Sequence, residues 1–220
     1  MSESRHVLNA RKIRIESSLA TLFERVDNAL VSAMEGLGGG DAAACERVVK
    51  ADAELNAMRQ RVEQDCLLAI VSQQPVAHDL RDLLVDMRMA SELERMGDHA
   101  SGIAFSLRLM DGAGLDRVGL ATAMEMSRIC RRMLSDARAA HEGSDTAMAR
   151  GVGAMDDPLD ALMRQMEDQV MAAMRADAAL VNNGARMLRV AQHLERFGDR
   201  ATNLAELTLF RVEGVIEELD

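Results

Sequence analysis

The sequence predicts an all-α protein of six long antiparallel helices, arranged as two pseudo-symmetric three-helix bundles. Three observations carry that expectation. Apolar residues recur every three or four positions almost throughout the chain. There are only 2 prolines, and runs of β-branched or aromatic residues are too few to build a sheet. Finally LERMGDHA, at 93–100, returns as LERFGDRA at 194–201, with six of eight positions identical. A stretch that recurs on the third helix of each half is most simply read as a duplicated three-helix unit, 1–112 and 113–220.

The elements follow in order. Ile15, Leu19, Leu22, Val26 and Leu30 mark a first helix over Val7–Met34, which the GLGGG run at 36–40 ends. Asp41 is placed to cap a second helix that reaches Gln73. The Gln74-Pro75 pair marks a turn, with Pro75 in the first turn of a third helix that runs to about Met110. DGAG at 111–114 divides the halves, and a fourth helix covers 116–141. After the HEGSD turn, a fifth helix is interrupted around Gly151–Pro158 and continues to about Arg175, and a sixth runs from Asn182 or Asn183 to about Glu218. Long helices on short turns pack as antiparallel bundles.

Composition narrows the function. Trp and Tyr are absent and Met numbers 17, so the core is aliphatic, with Met filling gaps between helices. A net charge of −10 disfavours nucleic acid, which would repel it, and suits cations or a basic partner. The cysteines, Cys45, Cys66 and Cys130, fit no zinc pattern and read as reduced, buried thiols of a cytoplasmic protein. The N-terminus is charged where a signal peptide needs an apolar stretch, and no apolar run is long enough for direct membrane insertion. GLGGG lacks the Lys-Ser/Thr of a phosphate loop. No nucleophile–base pairing stands out, so no enzyme is expected. Glu-x-x-His occurs at Glu3–His6, near the terminus, and does not suggest a di-iron bundle.

The informative feature is the distribution of acids. With about 100° per residue, Asp199, Asn203 and Glu206 lie about 40°, 80° and 20° from Glu195, on one stripe. Glu94 and Asp98 repeat the pair in the first half, where Gly102 and Phe105 take the places of Asn203 and Glu206. The preceding helices offer Asp52 and Asn56, and Asp156 and Asp160, at the same i, i+4 spacing. Stacked acids repel by a few tenths of a kcal/mol per pair. Cations held by oxygen ligands (iron, manganese, magnesium, calcium or zinc) offset that, and so does solvent or a basic partner face. Gly97 and Gly198 inside a helix each cost about 1 kcal/mol relative to Ala. Close helix approach or room for a ligand would account for them.

VVKADAELN, CLLAIVSQQPVAHDLR and ELERMGDHASGIA in the first half, and AQHLERFGDRATNLAE in the second, resemble the PhoU family over nearly the whole chain. The resemblance implies multinuclear metal clusters of iron, zinc, manganese or magnesium. Carried over by position, their ligands are Asp52, Asn56, Glu94 and Asp98, then Asp156, Asp160, Glu195, Asp199, Asn203 and Glu206. It also implies a cytoplasmic, non-enzymatic homodimer that damps the phosphate-starvation response when phosphate is plentiful. Its partners would be the ATPase subunit of the phosphate ABC transporter and a sensor histidine kinase. The residues alone leave open a metal-buffering bundle without a phosphate role, and an adaptor with acidic docking faces. Two departures matter: Gly102 and Phe105 shorten the first stripe, and Pro158 would set Asp157 as a cap with Asp156 outside the helix.

Overall fold

The structure, a computed structural model, describes residues 2–39, 42–110 and 118–219. All regular structure among them is helical: α1 (Ser2–Gly39), α2 (Ala42–Gln73), α3 (His78–Arg108), α4 (Leu120–Gly143), α5 (Thr146–Gly153), α6 (Asp156–Ala176) and α7 (Val181–Glu213). A 3-10 turn, Ala178–Leu180, precedes α7. Helices α1, α2 and α3 pack on one another. So do α4, α7 and the α5–α6 pair, which together stand where the first unit has α2. The units join along an α3–α7 seam as extensive as α2–α3, with a smaller α1–α4 contact beside it. The Asp41 cap and the DGAG break at 111–114 lie outside the described residues. No described helix is long and apolar enough to cross a membrane.

The helix boundaries differ from expectation at several points, each with a local cause. α1 starts at Ser2 and carries on through Gly36 to Gly39. Pro75 lies before α3 rather than in its first turn. Gln74 and Ala77 on either side of it adopt left-handed φ of 47° and 48°, so the helix can begin only at His78. α7 stops at Glu213, not Glu218. Gly214 takes φ 75°, the left-handed stop that glycine allows, and its N–H donates to the Phe210 carbonyl. The tail then folds back. Glu213 and Glu217 grip Arg150 of α5 at 2.9 and 2.7 Å, and Leu219 N donates to Glu206 at 2.9 Å. Gly153 leaves the notch in which Leu219 sits. Asp156 is inside the helix, as the first residue of α6, and Met155 is the N-cap. Pro158 falls in the first turn, where a missing N–H costs nothing.

The core is aliphatic. Ile15, Leu19, Leu22, Leu83, Met89, Met96 and Met133 are among its fully buried members, together with Phe197. All three cysteines are buried, and none forms a disulfide among the described residues. At one end, α1, α3, α4 and α7 converge on charges rather than hydrocarbon. Lys12 bridges Asp79 and Asp82 at 3.0 and 2.6 Å, and Asp82 also meets His78 at 3.0 Å and Arg211 at 3.4 Å. One turn on, Asp86 is 3% exposed, with Oδ1 unmatched by any hydrogen bond and 4.0 Å from His141 Nε2. Burial pushes the Asp86 carboxyl up to about 7. Arg211 and Lys12 oppose the rise, and Asp82 and Glu16 add to it. Burial, helped by Arg211, moves His141 the other way, to about 4.

A carboxyl that keeps its proton only when folded stabilises fully below its ordinary value of 3.8 and loses that contribution as pH rises to about 7. Asp86→Asn removes this dependence. Unfolding of the variant and the parent by urea across pH 4–8 should show a stability difference that grows in favour of the variant and levels off above pH 7. At pH 8 it should reach about 1–3 kcal/mol, the cost of a buried unmatched group. His141 contributes in the opposite sense and stands 4.0 Å from Asp86, so the same comparison in a His141→Gln background isolates the Asp86 dependence. A difference that stays constant with pH would mean Asp86 is charged throughout.

Candidate metal centre

The acid pairs face one another because of what stands between them. Leu55 lies between Asp52 and Asn56, and Gly97 between Glu94 and Asp98. A methyl group at Gly97 would collide with Leu55 Cδ1. In the second half Leu159 lies between Asp156 and Asp160, and a methyl at Gly198 would collide with Leu159 Cδ2. Both leucines are buried. Of the two explanations for these glycines, the structure shows close helix approach. Each leucine is a knob seated on a bare stretch of backbone, and it fixes the register in which the carboxylates of the two helices meet.

In the first half Asp98 and Asp52 share a hydrogen bond, and Ser101 Oγ donates to Asp52 at 3.4 Å. Burial, then the charges of Glu94 and Asp52, push the Asp98 carboxyl up to about 6, against a small opposing effect of Arg95. Arg59 reaches into this stripe. Its guanidinium donates to Glu63 at 2.6 Å and to Asn56 Oδ1 at 3.3 Å, and its Nε is 3.6 Å from Glu94. In the second half burial raises Glu195, and Asp199, Asp160 and Asp156 raise it further, with Arg196 opposing. The place of Arg59 belongs to Met163, in the register that aligns Asp52 with Asp156. Arg164 touches Asp160 at 3.1 Å from the solvent side.

Asn203 and Glu206 face a different cleft. Asn203 Nδ2 donates to Glu92 at 3.2 Å across the α3–α7 seam, and Glu206 receives the tail amide of Leu219. In the first half Phe105 is exposed, and Gly102 lies under the ring of His193, with which any side chain there would collide. The seam contacts were not read from the sequence. The signal lay in extending the repeat outward: Glu92 matches His193, His99 matches Arg200, and Gly102 matches Asn203 at the same 101-residue offset.

The donor set is all oxygen, which fits hard or borderline cations. Crowded carboxylates with raised proton affinity are a charge excess that a cation would relieve. Among the described residues no three His, Cys, Asp or Glu side chains already converge on one point. The carboxylates therefore have to swing inward to close a shell. The two halves differ in what stands beside the acids: Arg59 reaches Asn56 and Glu94 in the first, and Met163 holds the corresponding position in the second.

The leucine knobs can be tested directly. Gly198→Ala gains about 1 kcal/mol of helix propensity and meets overpacking costs of about 1–3 kcal/mol. The net expectation is a lower Tm in the parent, and a smaller loss, or a gain, when the same change is made in a Leu159→Ala background, where the clashing methyl is gone. A Tm that rises in the single variant would show that the helices do not approach this closely.

The chain matches the family model described as PhoU domain twice, over residues 19–107 and 123–208. It is similar to a phosphate-specific transport system accessory protein PhoU homolog of a Burkholderia species, 30% identical over 96% of this chain and 92% of that one. The homolog of the same name from Clostridium acetobutylicum is 27% identical over 96% of both chains. The crystal structure of PhoU from Pseudomonas aeruginosa superposes with a TM-score of 0.89, at 25% identity, over 94% of this chain and 99% of that one. These relatives are named as accessory proteins, not as enzymes. Two domain matches that each contain one LER-GD helix, and full-length likeness in sequence and fold, make this chain a member of the PhoU family.

Proposed function

We propose that this chain is a cytoplasmic regulator of phosphate uptake that damps phosphate-starvation signalling when phosphate is plentiful. It acts by protein contact, as a homodimer, on the ATPase subunit of a phosphate ABC transporter and on a sensor histidine kinase. The observation that carries the reading is the full-length likeness to phosphate-specific transport accessory proteins. The carboxylate stripes supply its chemistry. Asp156, Asp160, Glu195 and Asp199 hold cations of the iron, manganese, magnesium or zinc class, and Asp52, Asn56, Glu94 and Asp98 form a weaker site that shares its charge with Arg59. A filled stripe presents a neutral face and an empty one a strongly acidic face, so cation occupancy sets which partner surface can dock.

Deleting the gene should derepress alkaline phosphatase in phosphate-rich medium, and the wild-type chain should restore repression. Unchanged repression in a strain lacking every copy would rule out the phosphate role. Metal uptake and release that follow metal supply, with no phosphatase change, would instead identify a metal buffer.

Cation binding is checked separately. Chelator-stripped protein given Mn2+ at a hundredfold excess over Kd should gain about 5–10 °C in Tm. Glu195→Gln/Asp199→Asn should lose most of that gain, and Asp52→Asn/Asp98→Asn less than half. Equal losses would refute the role given to Arg59.

A further inference from the structure

The α3–α7 seam carries one duplicated contact whose two copies have diverged. In one, Glu92 of α3 accepts from Arg200 and from Asn203 of α7, both at 3.2 Å. The equivalent positions of the other copy hold His193 in place of the acid, His99 in place of the arginine and Gly102 in place of the asparagine. No ion pair forms there. The rings are tilted by 45° with centroids 5.7 Å apart, and Nδ1 of His99 faces Nδ1 of His193 at 3.4 Å. That separation is long for a hydrogen bond. It matches two ligands of one ion: at zinc–nitrogen distances of 2.0–2.1 Å the angle between them is about 110°, which is tetrahedral.

We propose that His99 and His193 form a two-histidine site for a borderline transition-metal ion (zinc, nickel or copper), tying the first repeat to the second. Imidazole nitrogen is the preferred donor for this class, whereas the carboxylate stripes are oxygen-only. The two kinds of site lie on different faces. Asp98 turns to Asp52 of α2, and His99 turns to α7. Both rings are part-buried at the edge of the seam, which leaves the remaining coordination positions to water. Burial, and after it the arginines around the pair, disfavour positive charge on the rings, Arg200, Arg196 and Arg95 at His99 and Arg196 and Arg189 at His193, so both rings are held as neutral imidazole, the form that ligates. Arg200 is paired with Glu92, and Arg95, Arg189 and Arg196 are exposed. Gly102 is the residue that lets the His193 ring lie this close to α3.

The test uses the full chain, stripped with chelator and given one equivalent of Cu(II). Electron paramagnetic resonance should show coupling to two imidazole nitrogens. His99→Gln and His193→Gln should each weaken binding at least tenfold and remove the two-nitrogen pattern, and Glu195→Gln/Asp199→Asn should leave it unchanged. Copper should also raise the Tm of the parent and not of the histidine variants. The double variant His99→Arg/His193→Glu copies the ion pair of the other repeat. It should fold with parental helicity and show no two-nitrogen signal, so loss of binding is separated from loss of fold. A parent spectrum without two nitrogens overturns the proposal, as does a two-nitrogen spectrum that persists in either single histidine variant or in the double variant.

Discussion

The contact on which the rest of the structure depends is a leucine seated on a glycine, made twice. Leu55 on Gly97 and Leu159 on Gly198 seat a leucine methyl of α2 on α3 and of α6 on α7, where a side chain at the glycine would have to displace it. An interior glycine costs a helix about 1 kcal/mol. Here the loss is offset by a fully buried leucine, worth about 1.5–3 kcal/mol, and by a register that cannot slip. The knob lies one residue before the second member of each i, i+4 pair and beside it on the helix, so a slip of one residue would carry both members round the helix by about 100°.

That constraint explains why the acids are held together although they repel, and it leaves the two halves free to manage the repulsion differently. The first half places Arg59 among its carboxylates, with contacts to Glu63, Asn56 and Glu94. The second half has Met163 there and leaves Glu195 in the field of three aspartates. Backbone, knobs and most of the acids are duplicated, and the groups set beside those acids are not. The same pattern holds at the seam, where Glu92–Arg200 in one copy is His193–His99 in the other. The two repeats share a geometry and differ in the side chains set on it.

Much of this was legible in the sequence. Helical periodicity, the repeat and the acid pairs are local signals, and the all-α architecture and the facing of Asp52 with Asp98 followed from them. What was not legible depends on long-range placement. Helical phase put Asn203 and Glu206 on the stripe of Glu195, within the arc one side chain can span. Which way they turn was settled by Glu92 and by the tail amide of Leu219, both distant in sequence or beyond a helix stop. The stop itself was visible as Gly214, but an apolar pattern that continues through Val215 and Ile216 masked it. Pro158 was read through the residue it restricts, whereas its position in the first turn keeps Asp156 within α6. Arg59 gave no signal, because an arginine on an acidic helix is ordinary until its neighbours are known.

The LER-GD helix also joins the carboxylate stripe to the seam mechanically. Met96 and Gly97 are adjacent in sequence and about 100° apart around α3. Gly97 faces Leu55, and Met96 lies on the face that carries Glu92 and His99, which both reach α7. Phe197 and Gly198 repeat this division on α7, and both Met96 and Phe197 are fully buried. Each of these helices is therefore one wall of a carboxylate stripe and one side of the seam. Interiors packed at crystal-like density transmit displacement rather than absorb it. A stripe and a seam built on opposite faces of one helix tie the packing of each stripe to the packing of the seam.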